Sequence, residues 1–195
     1  SSDLFQQKIS LFASGRTDAG VHALNQVCHF DVDRSEEKLK GWNLSRAISP
    51  RLPKSILVKK AWIAPSDFHS TLSPDKKTYR YLILNQQEPS AFLNRYTEWV
   101  RHPLNLNFLN ECSQYLLGEQ DFKCFQSVGS SVAHTVRTIE KAEWIWRKPH
   151  IAQFSITGTG FLKQMVRNIV GTQLLIERKG WDSEKMKEII RKMIP

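Results

Sequence analysis

The chain has 195 residues, 41% of them hydrophobic, which is enough to bury a core as one or two small domains. Its 28 lysines and arginines exceed its 19 aspartates and glutamates, and the formal net charge of +9 favours a polyanionic partner such as nucleic acid. Three widely spaced cysteines exclude a Cys-x-x-Cys metal pair and fit a reducing, cytoplasmic setting, and no apolar run approaches the roughly 18 residues that cross a bilayer. We therefore expect no metal and no membrane partner.

The first half of the chain is predicted to form mainly short strands. Its apolar and aromatic stretches, bounded by turn formers, are residues 9–13, 27–32, 56–63 and 78–84. A helix is predicted over residues 36–48, and it ends before Ser49-Pro50 because the residue ahead of a proline avoids helical geometry. Polarity then rises, and a domain boundary is predicted near Trp99.

The second half is predicted to begin with a helix over residues 106–117, which ends at Gly118. Strands over residues 138–146 and 151–157 follow. The next segment, residues 161–177, has apolar side chains on more than one face and is predicted to be a buried or doubly packed helix.

A last helix is predicted after Ser183, which we expect to be its N-cap. Its apolar side chains recur at helical spacing, at Met186, Ile189, Ile190 and Met193. Strands and helices mix along the chain without strict alternation. The predicted fold class is therefore α+β, with mostly antiparallel sheets flanked by helices.

One loop concentrates the residues of chemical interest. The run Ser-Gly-Arg-Thr-Asp-Ala-Gly-Val-His-Ala at 14–23 places Asp18 between two glycines, with one residue separating it from Arg16. Glycines let a ligand approach the backbone, and a guanidinium suits phosphate or carboxylate. A polar turn between strands is the alternative interpretation of Thr-Asp-Ala-Gly alone. The flanking residues favour a catalytic loop with Asp18 at its centre.

Further segments extend this pattern along the chain. Residues 15–23 of this loop are followed by Gln26 and His29-Phe30. The later segments are Asp-Phe-His-Ser at 67–70, Lys-Thr-Tyr-Arg-Tyr at 77–81, Gly118 with Asp121-Phe122, Val-Arg-Thr-Ile at 136–139, Gly-Phe-Leu at 160–162 and Met-Val-Arg-Asn-Ile-Val-Gly at 165–171. Together they resemble the TruA family of tRNA pseudouridine synthases.

The sequence departs from that family pattern at some points. A first strand with Tyr-Asp-Gly and Gly-Trp elements and a last strand after the final helix are missing, so we expect a trimmed chain. Ser70-Thr71 stand where the family often has Ala-Arg, which removes a contact to RNA, and Ser49 stands where asparagine is common. None of these changes falls on the residues to which the resemblance assigns the chemistry.

The resemblance implies an enzyme that isomerises uridine to pseudouridine in the anticodon stem-loop of tRNA, at tRNA positions 38–40, with Asp18 as the nucleophile and no cofactor. The reaction breaks the bond from C1′ to N1, turns the detached uracil and rejoins it through C5. Covalent catalysis by a carboxylate suits this chemistry. Attack on C1′, addition to C6 and removal of a sugar proton are the alternatives for Asp18.

The resemblance assigns two more catalytic residues, Arg167 and Tyr79. A carboxylate in a pocket that excludes water needs a cation to stay ionised, so we expect Arg167 within ion-pair distance of Asp18. A snorkelling surface arginine is the alternative. Tyr79 is expected to stack on the target uracil and to assist proton transfer from C5, although strand tyrosines usually belong to a core. Tyr81, on the same strand face, is assigned to the core.

Three more residues are expected to bind the substrate together with Tyr79. A stacked uridine must be extruded before it reacts, and Arg16 is expected to contact phosphate and to fill the vacated space. A second counter-ion for Asp18 is the alternative for Arg16. Lys163 is expected to contact the RNA backbone, and His22 to lie near the RNA.

The resemblance implies two α+β domains with the active-site cleft between them, as in pseudouridine synthases. Residues 1–98 would carry the Asp18 loop and residues 99–195 the Arg167 helix. It also implies a homodimer with tRNA as partner, in the cytoplasm, while an organelle-targeting peptide ahead of residue 1 stays open. A catalytically inactive or truncated RNA-binding relative is the alternative, which Asp18, Tyr79 and Arg167 together disfavour. A glycosidase would need a second carboxylate beside Asp18.

Overall fold

The computed structural model describes residues 2–33, 39, 43–129, 132 and 134–192. The chain divides into two compact units, Ser1–Asp75 and Lys76–Pro195. This division comes earlier in the chain than the boundary expected near Trp99. The reason is that the strand following Lys76 pairs with strands of the second unit.

The first unit contains few regular elements. They are helix α1 (Ser2–Phe5), strands β1 (Phe12–Ala13) and β2 (Cys28–His29), helix α2 (Leu44–Ile48) and a 3-10 turn (Ser49–Arg51). The strands β1 and β2 are antiparallel, with Phe12 opposite His29. Both lie within the segments predicted to be strands, but they are shorter.

Two predictions for the first unit have different outcomes. The strand expected over residues 56–63 is wrong: no described strand pairs with this segment, and Ile56, Leu57 and Trp62 are exposed. The helix expected over residues 36–48 ends before Ser49-Pro50 as predicted. Its residues 36–38 and 40–42 lie outside the described residues.

The second unit is built on a five-stranded sheet with the order β4-β3-β7-β6-β5. Its strands are β3 (Lys77–Asn85), β4 (Glu98–Val100), β5 (Gly118–Asp121), β6 (Val136–Lys148) and β7 (Ile151–Gly158). The pair β3 and β4 is parallel, and the other pairs are antiparallel. The predicted strands at 78–84, 138–146 and 151–157 and the mostly antiparallel arrangement are confirmed.

Three helices accompany this sheet: α3 (Leu106–Gln114), α4 (Met165–Arg178) and α5 (Lys185–Lys192). The strand β7 alternates so that Ala152, Phe154 and Ile156 are fully buried, and Met165 and Ile169 of α4 belong to the same core. No described helix is long and apolar enough to cross a membrane.

A buried polar chain fixes α4 against the sheet and α3. The indole Nε1 of Trp144 donates to Gln173 Oε1 at 2.9 Å, and Gln173 Nε2 donates to Ser113 Oγ at 2.8 Å. The Ser113 hydroxyl in turn donates to the Leu109 carbonyl at 2.8 Å. Because buried polar groups are costly when unpaired, this chain specifies the rotation of α4 about its axis.

The helix ends differ from the predictions. The helix expected from residue 161 begins at Met165, because Gln164 has a left-handed φ of 57°. The helix α3 ends at Gln114, and Gly118 is the first residue of β5. Before α5, Asp182 Oδ1 accepts from Glu184 N at 2.8 Å, so Asp182 takes the capping contact expected of Ser183. Met193 lies outside the described residues.

Candidate active site

The loop that carries Asp18 is closed at its base by hydrogen bonds. It connects β1 to β2, and Ser14 N donates to Val27 O at 2.9 Å where the strands end. The side chain of Gln26 spans both arms: its Oε1 accepts from Ser14 Oγ at 3.0 Å, and its Nε2 donates to the Gly15 carbonyl. A short two-stranded ribbon therefore presents a loop whose two ends are fixed to each other.

Asp18 begins a tight turn at the tip of this loop. Val21 N donates to the Asp18 carbonyl at 3.0 Å, and Gly20 has a φ of 78°. A positive φ at the third residue of a four-residue turn is typical of a type II turn, which favours glycine there. The glycine noted in the sequence is therefore needed for the backbone of the turn.

The side chains of this loop face solvent. Arg16, Asp18 and His22 are all exposed. The loop thus places a carboxylate, a guanidinium and an imidazole on one accessible segment, and an exposed carboxylate on a tied loop can reach a substrate without rearrangement of a core.

A cluster of rings supports β1 and β2 below the loop. The Phe12 and His29 rings stack with centroids 5.0 Å apart, and the His69 ring lies 4.6 Å from that of His29. The fully buried Ser70 donates through Oγ to the Phe12 carbonyl at 3.0 Å, and Thr71 Oγ1 donates to the Ala13 carbonyl at 3.0 Å. Ser70 and Thr71, two of the departures from the family pattern, therefore hold the strand that leads to Asp18.

In the second unit, Tyr79 lies on β3 and packs against the start of the α4 segment. Its half-buried ring meets the Phe161 ring edge-on, with centroids 4.9 Å apart. Tyr81, two residues along the strand, is also half-buried and packs against the core, as predicted. The ring of Tyr79 is therefore set by a neighbour that the sequence interpretation had given no role.

Arg167 is exposed in the first turns of α4 and acts electrostatically on β3. Burial raises the pKa of the Tyr81 phenol, the carboxylate of Glu98 raises it further, and the positive charge of Arg167 lowers it. Opposite charge favours the ionised form of a nearby group. Arg167 is therefore one of the charges that act on the phenol of Tyr81, two residues from Tyr79 on the same strand.

Lys163 is exposed and bound to a neighbouring loop. Its Nζ donates to the Val128 carbonyl at 3.1 Å, and its own carbonyl accepts from Ser127 N at 3.1 Å. Asn168 Nδ2 donates to the Phe125 carbonyl at 2.9 Å from the first turn of α4. The ammonium of Lys163 therefore lies where the chain turns into the helix that carries Arg167.

The site residues thus form two groups, one in each unit. Arg16, Asp18 and His22 share the loop of the first unit, while Tyr79, Lys163 and Arg167 lie at β3 and the start of α4 in the second. The ion pair between Asp18 and Arg167 would join the two groups and stays a prediction. Among the described residues, no three His, Cys, Asp or Glu side chains gather as they would to hold a metal ion.

Three residues of this site were not given roles from the sequence: Gln26, Ser70 and Phe161. All three stand inside the quoted segments, which was the available signal. They contact Gly15, Phe12 and Tyr79 respectively, and the last two contacts join residues far apart in sequence. Local spacing does not reveal such contacts, because they depend on how the strands and helices pack.

Comparisons with known proteins identify the family of the chain. A family described as tRNA pseudouridine synthase matches residues 112–194. A tRNA pseudouridine synthase A of Bdellovibrio bacteriovorus is 65% identical over 189 residues, which cover 97% of this chain and 72% of that protein. One of Thermotoga petrophila is 33% identical over 96% of this chain and 75% of its own length, and one of Acetivibrio thermocellus is 41% identical over 85% and 66%.

Proposed function

The chain belongs to the tRNA pseudouridine synthase A family and is a tRNA pseudouridine synthase, and we propose that it isomerises uridines of the anticodon stem-loop with Asp18 as its nucleophile. The observation that carries this assignment is the exposed carboxylate of Asp18 on a loop closed by Gln26. A nucleophile must be accessible and its position restricted, and the exposure of Asp18 on a closed loop supports this role.

The chemistry requires one covalent exchange at the sugar. The bond from C1′ to N1 breaks, the uracil turns, and a bond from C1′ to C5 forms while C5 loses a proton and N1 gains one. The carboxylate of Asp18 supplies the nucleophile for this exchange. The balance of atoms is complete within the nucleoside, so the proposed path consumes no co-reactant.

We assign Tyr79 and Arg167 to the same reaction. The ring of Tyr79 would stack on the uracil and assist removal of the C5 proton, and its edge-on contact with Phe161 supports a fixed ring plane. Arg167 would keep Asp18 ionised, and its exposure on α4 leaves the guanidinium accessible to a partner. The positive charge of Arg167 lowers the pKa of Tyr81 on the strand that carries Tyr79, which supports a role for Arg167 near that strand.

Arg16, His22 and Lys163 would bind the RNA. Arg16 would hold phosphate and fill the space of the extruded base, which the exposure of its side chain on the Asp18 loop supports. His22 lies on the same loop, and Lys163 presents an ammonium beside α4. Phosphate contacts of this kind position an RNA without reading its sequence.

We further propose a cytoplasmic homodimer whose cleft lies between two domains. The family resemblance supports the dimer and the cleft, and the free thiols of Cys28, Cys112 and Cys124 are consistent with a reducing compartment. The mass of the purified protein in sedimentation tests the dimer.

The substitution Asp18→Asn tests the proposed nucleophile. An amide of the same shape cannot attack, so pseudouridine formation should fall by at least about a thousandfold, while tRNA affinity changes less than about threefold, because the lost group acts in the transition state. The measurement is pseudouridine mapping of tRNA together with filter binding. Wild-type turnover by Asp18→Asn would refute the assignment, and Asp33→Asn is a matched control that should keep full activity.

A further inference from the structure

A concave surface lies at the other end of β3 from Tyr79. It is a cleft of about 700 Å³, lined at one side by the segments flanking β4 and at the other by the turn between β6 and β7. We call it the basic cleft and define it by Arg101, Trp146, Arg147, Lys148 and His150. The strand β3 runs from Tyr79 to Asn85 at the cleft, which at about 3.3 Å per residue separates the two places by roughly 20 Å.

The described lining of the basic cleft carries positive charge and no carboxylate. Among the residues that the structure describes, none of the lining side chains is an aspartate or glutamate. Arg147 and Lys148 are exposed, and Arg101 Nε donates to Gln87 Oε1 at 3.0 Å, which leaves the rest of its guanidinium available. Cations gathered in a concave surface attract a polyanion.

An aromatic surface accompanies these charges. Trp146 is 49% exposed although Trp144, two residues earlier on the same strand, is 2% exposed and belongs to the core. An exposed indole beside cations is a feature of sites that stack an unpaired base and contact its phosphates. The basic cleft therefore presents the two kinds of group that bind single-stranded or looped RNA.

The backbone departs from regular geometry at the same residues. The pairing of β6 with β7 shifts register between Trp146 and Lys148, which marks a bulge at Arg147. After Pro149, His150 has a φ of 64°, a region that disfavours residues with side chains. Its carbonyl accepts from Asn85 N at 2.8 Å. Bulges redirect side chains, and here the redirected residues are cationic.

We propose that the basic cleft is a second RNA-binding site, which holds backbone phosphates of the tRNA with Arg101, Arg147 and Lys148 and an unstacked base against Trp146. This inference rests on the proposed function for the identity of the polyanion. A substrate that occupies Tyr79 and the basic cleft together must extend over about 20 Å, which one nucleotide does not. The cleft thus binds a part of the RNA other than the reacting uridine.

Charge neutralisation tests the cleft. The double variant Arg147→Gln/Lys148→Gln should weaken binding of unmodified tRNA about fivefold to twentyfold at about 0.1 M salt, and should reduce the slope of log K against log salt by roughly one to two. The KM for tRNA should rise while kcat stays unchanged. The matched control Arg178→Gln/Lys179→Gln removes the same charge from an exposed helix end and should change affinity less than about twofold.

Two further variants separate charge from stacking. The swap Arg147→Lys/Lys148→Arg keeps the charge and should bind tRNA as the wild type does. Trp146→Leu should weaken binding at least about fivefold without changing the salt slope, since the indole contributes stacking and no charge.

The outcomes distinguish the cleft from the catalytic assignment. An unchanged affinity and salt slope in the double variant overturn the cleft, and so does a loss of kcat at constant KM. If the wild-type protein binds tRNA through the basic cleft but forms no pseudouridine, only the proposed function is overturned. If the double variant loses binding of polyglutamate but binds tRNA as the wild type does, the surface binds acidic peptides, and the RNA proposal is overturned.

Discussion

Gln26 is the residue that determines how firmly the Asp18 loop is held. Its amide accepts from Ser14 Oγ and donates to the Gly15 carbonyl, so a single side chain binds the segment that follows β1 twice. An amide carries both an acceptor and a donor, and a carboxylate has acceptors only. The position thus requires glutamine for its hydrogen-bonding chemistry as well as for its size.

Substitution at Gln26 should affect catalysis more than stability. Gln26→Ala removes both contacts and should lower kcat about tenfold to a hundredfold through misplacement of Asp18, with KM for tRNA changed less than about threefold. Because both hydrogen bonds are exposed, the free energy of unfolding should fall by only about 1 kcal/mol. Steady-state kinetics and urea denaturation measure the two effects.

The variant Gln26→Glu completes this test. It keeps the acceptor for Ser14 but loses the donor to Gly15, so its kcat should lie between those of the wild type and Gln26→Ala. A wild-type kcat in both variants, or a rise in KM alone, would show that Gln26 does not position the nucleophile.

At the scale of elements, a methyl group added to a glycine is expected to clash with neighbouring atoms in β7 and to find open space in α4. In β7, a Cβ on Gly158 would lie 2.6 Å from the Thr138 carbonyl oxygen and 2.7 Å from Ile139 Cδ1. Such a contact with backbone cannot be relieved by a side-chain rotation. In α4, a Cβ on Gly171 would meet no atom within 4 Å.

The two alanine substitutions should therefore change the free energy of unfolding in opposite directions. Gly158→Ala should lower the free energy of unfolding by about 1–3 kcal/mol through overpacking. Gly171→Ala should raise it by about 0.5–1 kcal/mol, because alanine restricts the unfolded chain and favours a helix. Chemical denaturation of both variants measures the difference, and a shared sign would contradict the packing described for this sheet.

Element types follow from the sequence better than element ends do. The segments at 78–84 and 161–177 were assigned correctly to a strand and a helix, but the helix is not buried on every face, because Gly171, Leu175 and Arg178 are exposed. The start of α4 shifts to Met165 because Gln164 adopts a left-handed φ, and no residue type announces that. The segment 56–63 has strand composition but lacks a described partner strand, and strands exist only in pairs.

At the scale of the whole molecule, the proposed catalytic apparatus draws on both units. The Asp18 loop belongs to the first unit, and Tyr79 and Arg167 belong to the second. The proposed nucleophile, Asp18, and its proposed cation, Arg167, therefore lie in different units. Activity is accordingly expected to require the two units in one protein.

The predicted ion pair of Asp18 and Arg167 can be tested directly. Arg167→Gln should lower kcat about a hundredfold or more, because an uncompensated carboxylate gains a proton where water is excluded, while Arg167→Lys should retain part of the activity. A crystal structure of the protein bound to an RNA stem-loop should place the guanidinium within about 4 Å of the carboxylate. A guanidinium directed into bulk solvent in that complex would refute the pairing.

The sequence by itself determined the family, the α+β class and the candidate chemical residues, because a motif is a local property and periodicity reports which face of an element is buried. Only the tertiary structure decided which residues support the site. Gln26 reaches Gly15, Ser70 reaches Phe12 and Phe161 meets Tyr79 through contacts that strand pairing and packing create.

The basic cleft shows the same division. Its charges were visible in a net charge of +9, yet their assembly was not, since Arg101 and Arg147 are distant in the chain and meet at one end of the sheet. The surface forms where the register shifts beside Trp146 and where His150 has a left-handed backbone conformation. Composition determines how much charge a chain carries, whereas folding determines where it gathers, because long-range pairing brings together residues that no local spacing relates.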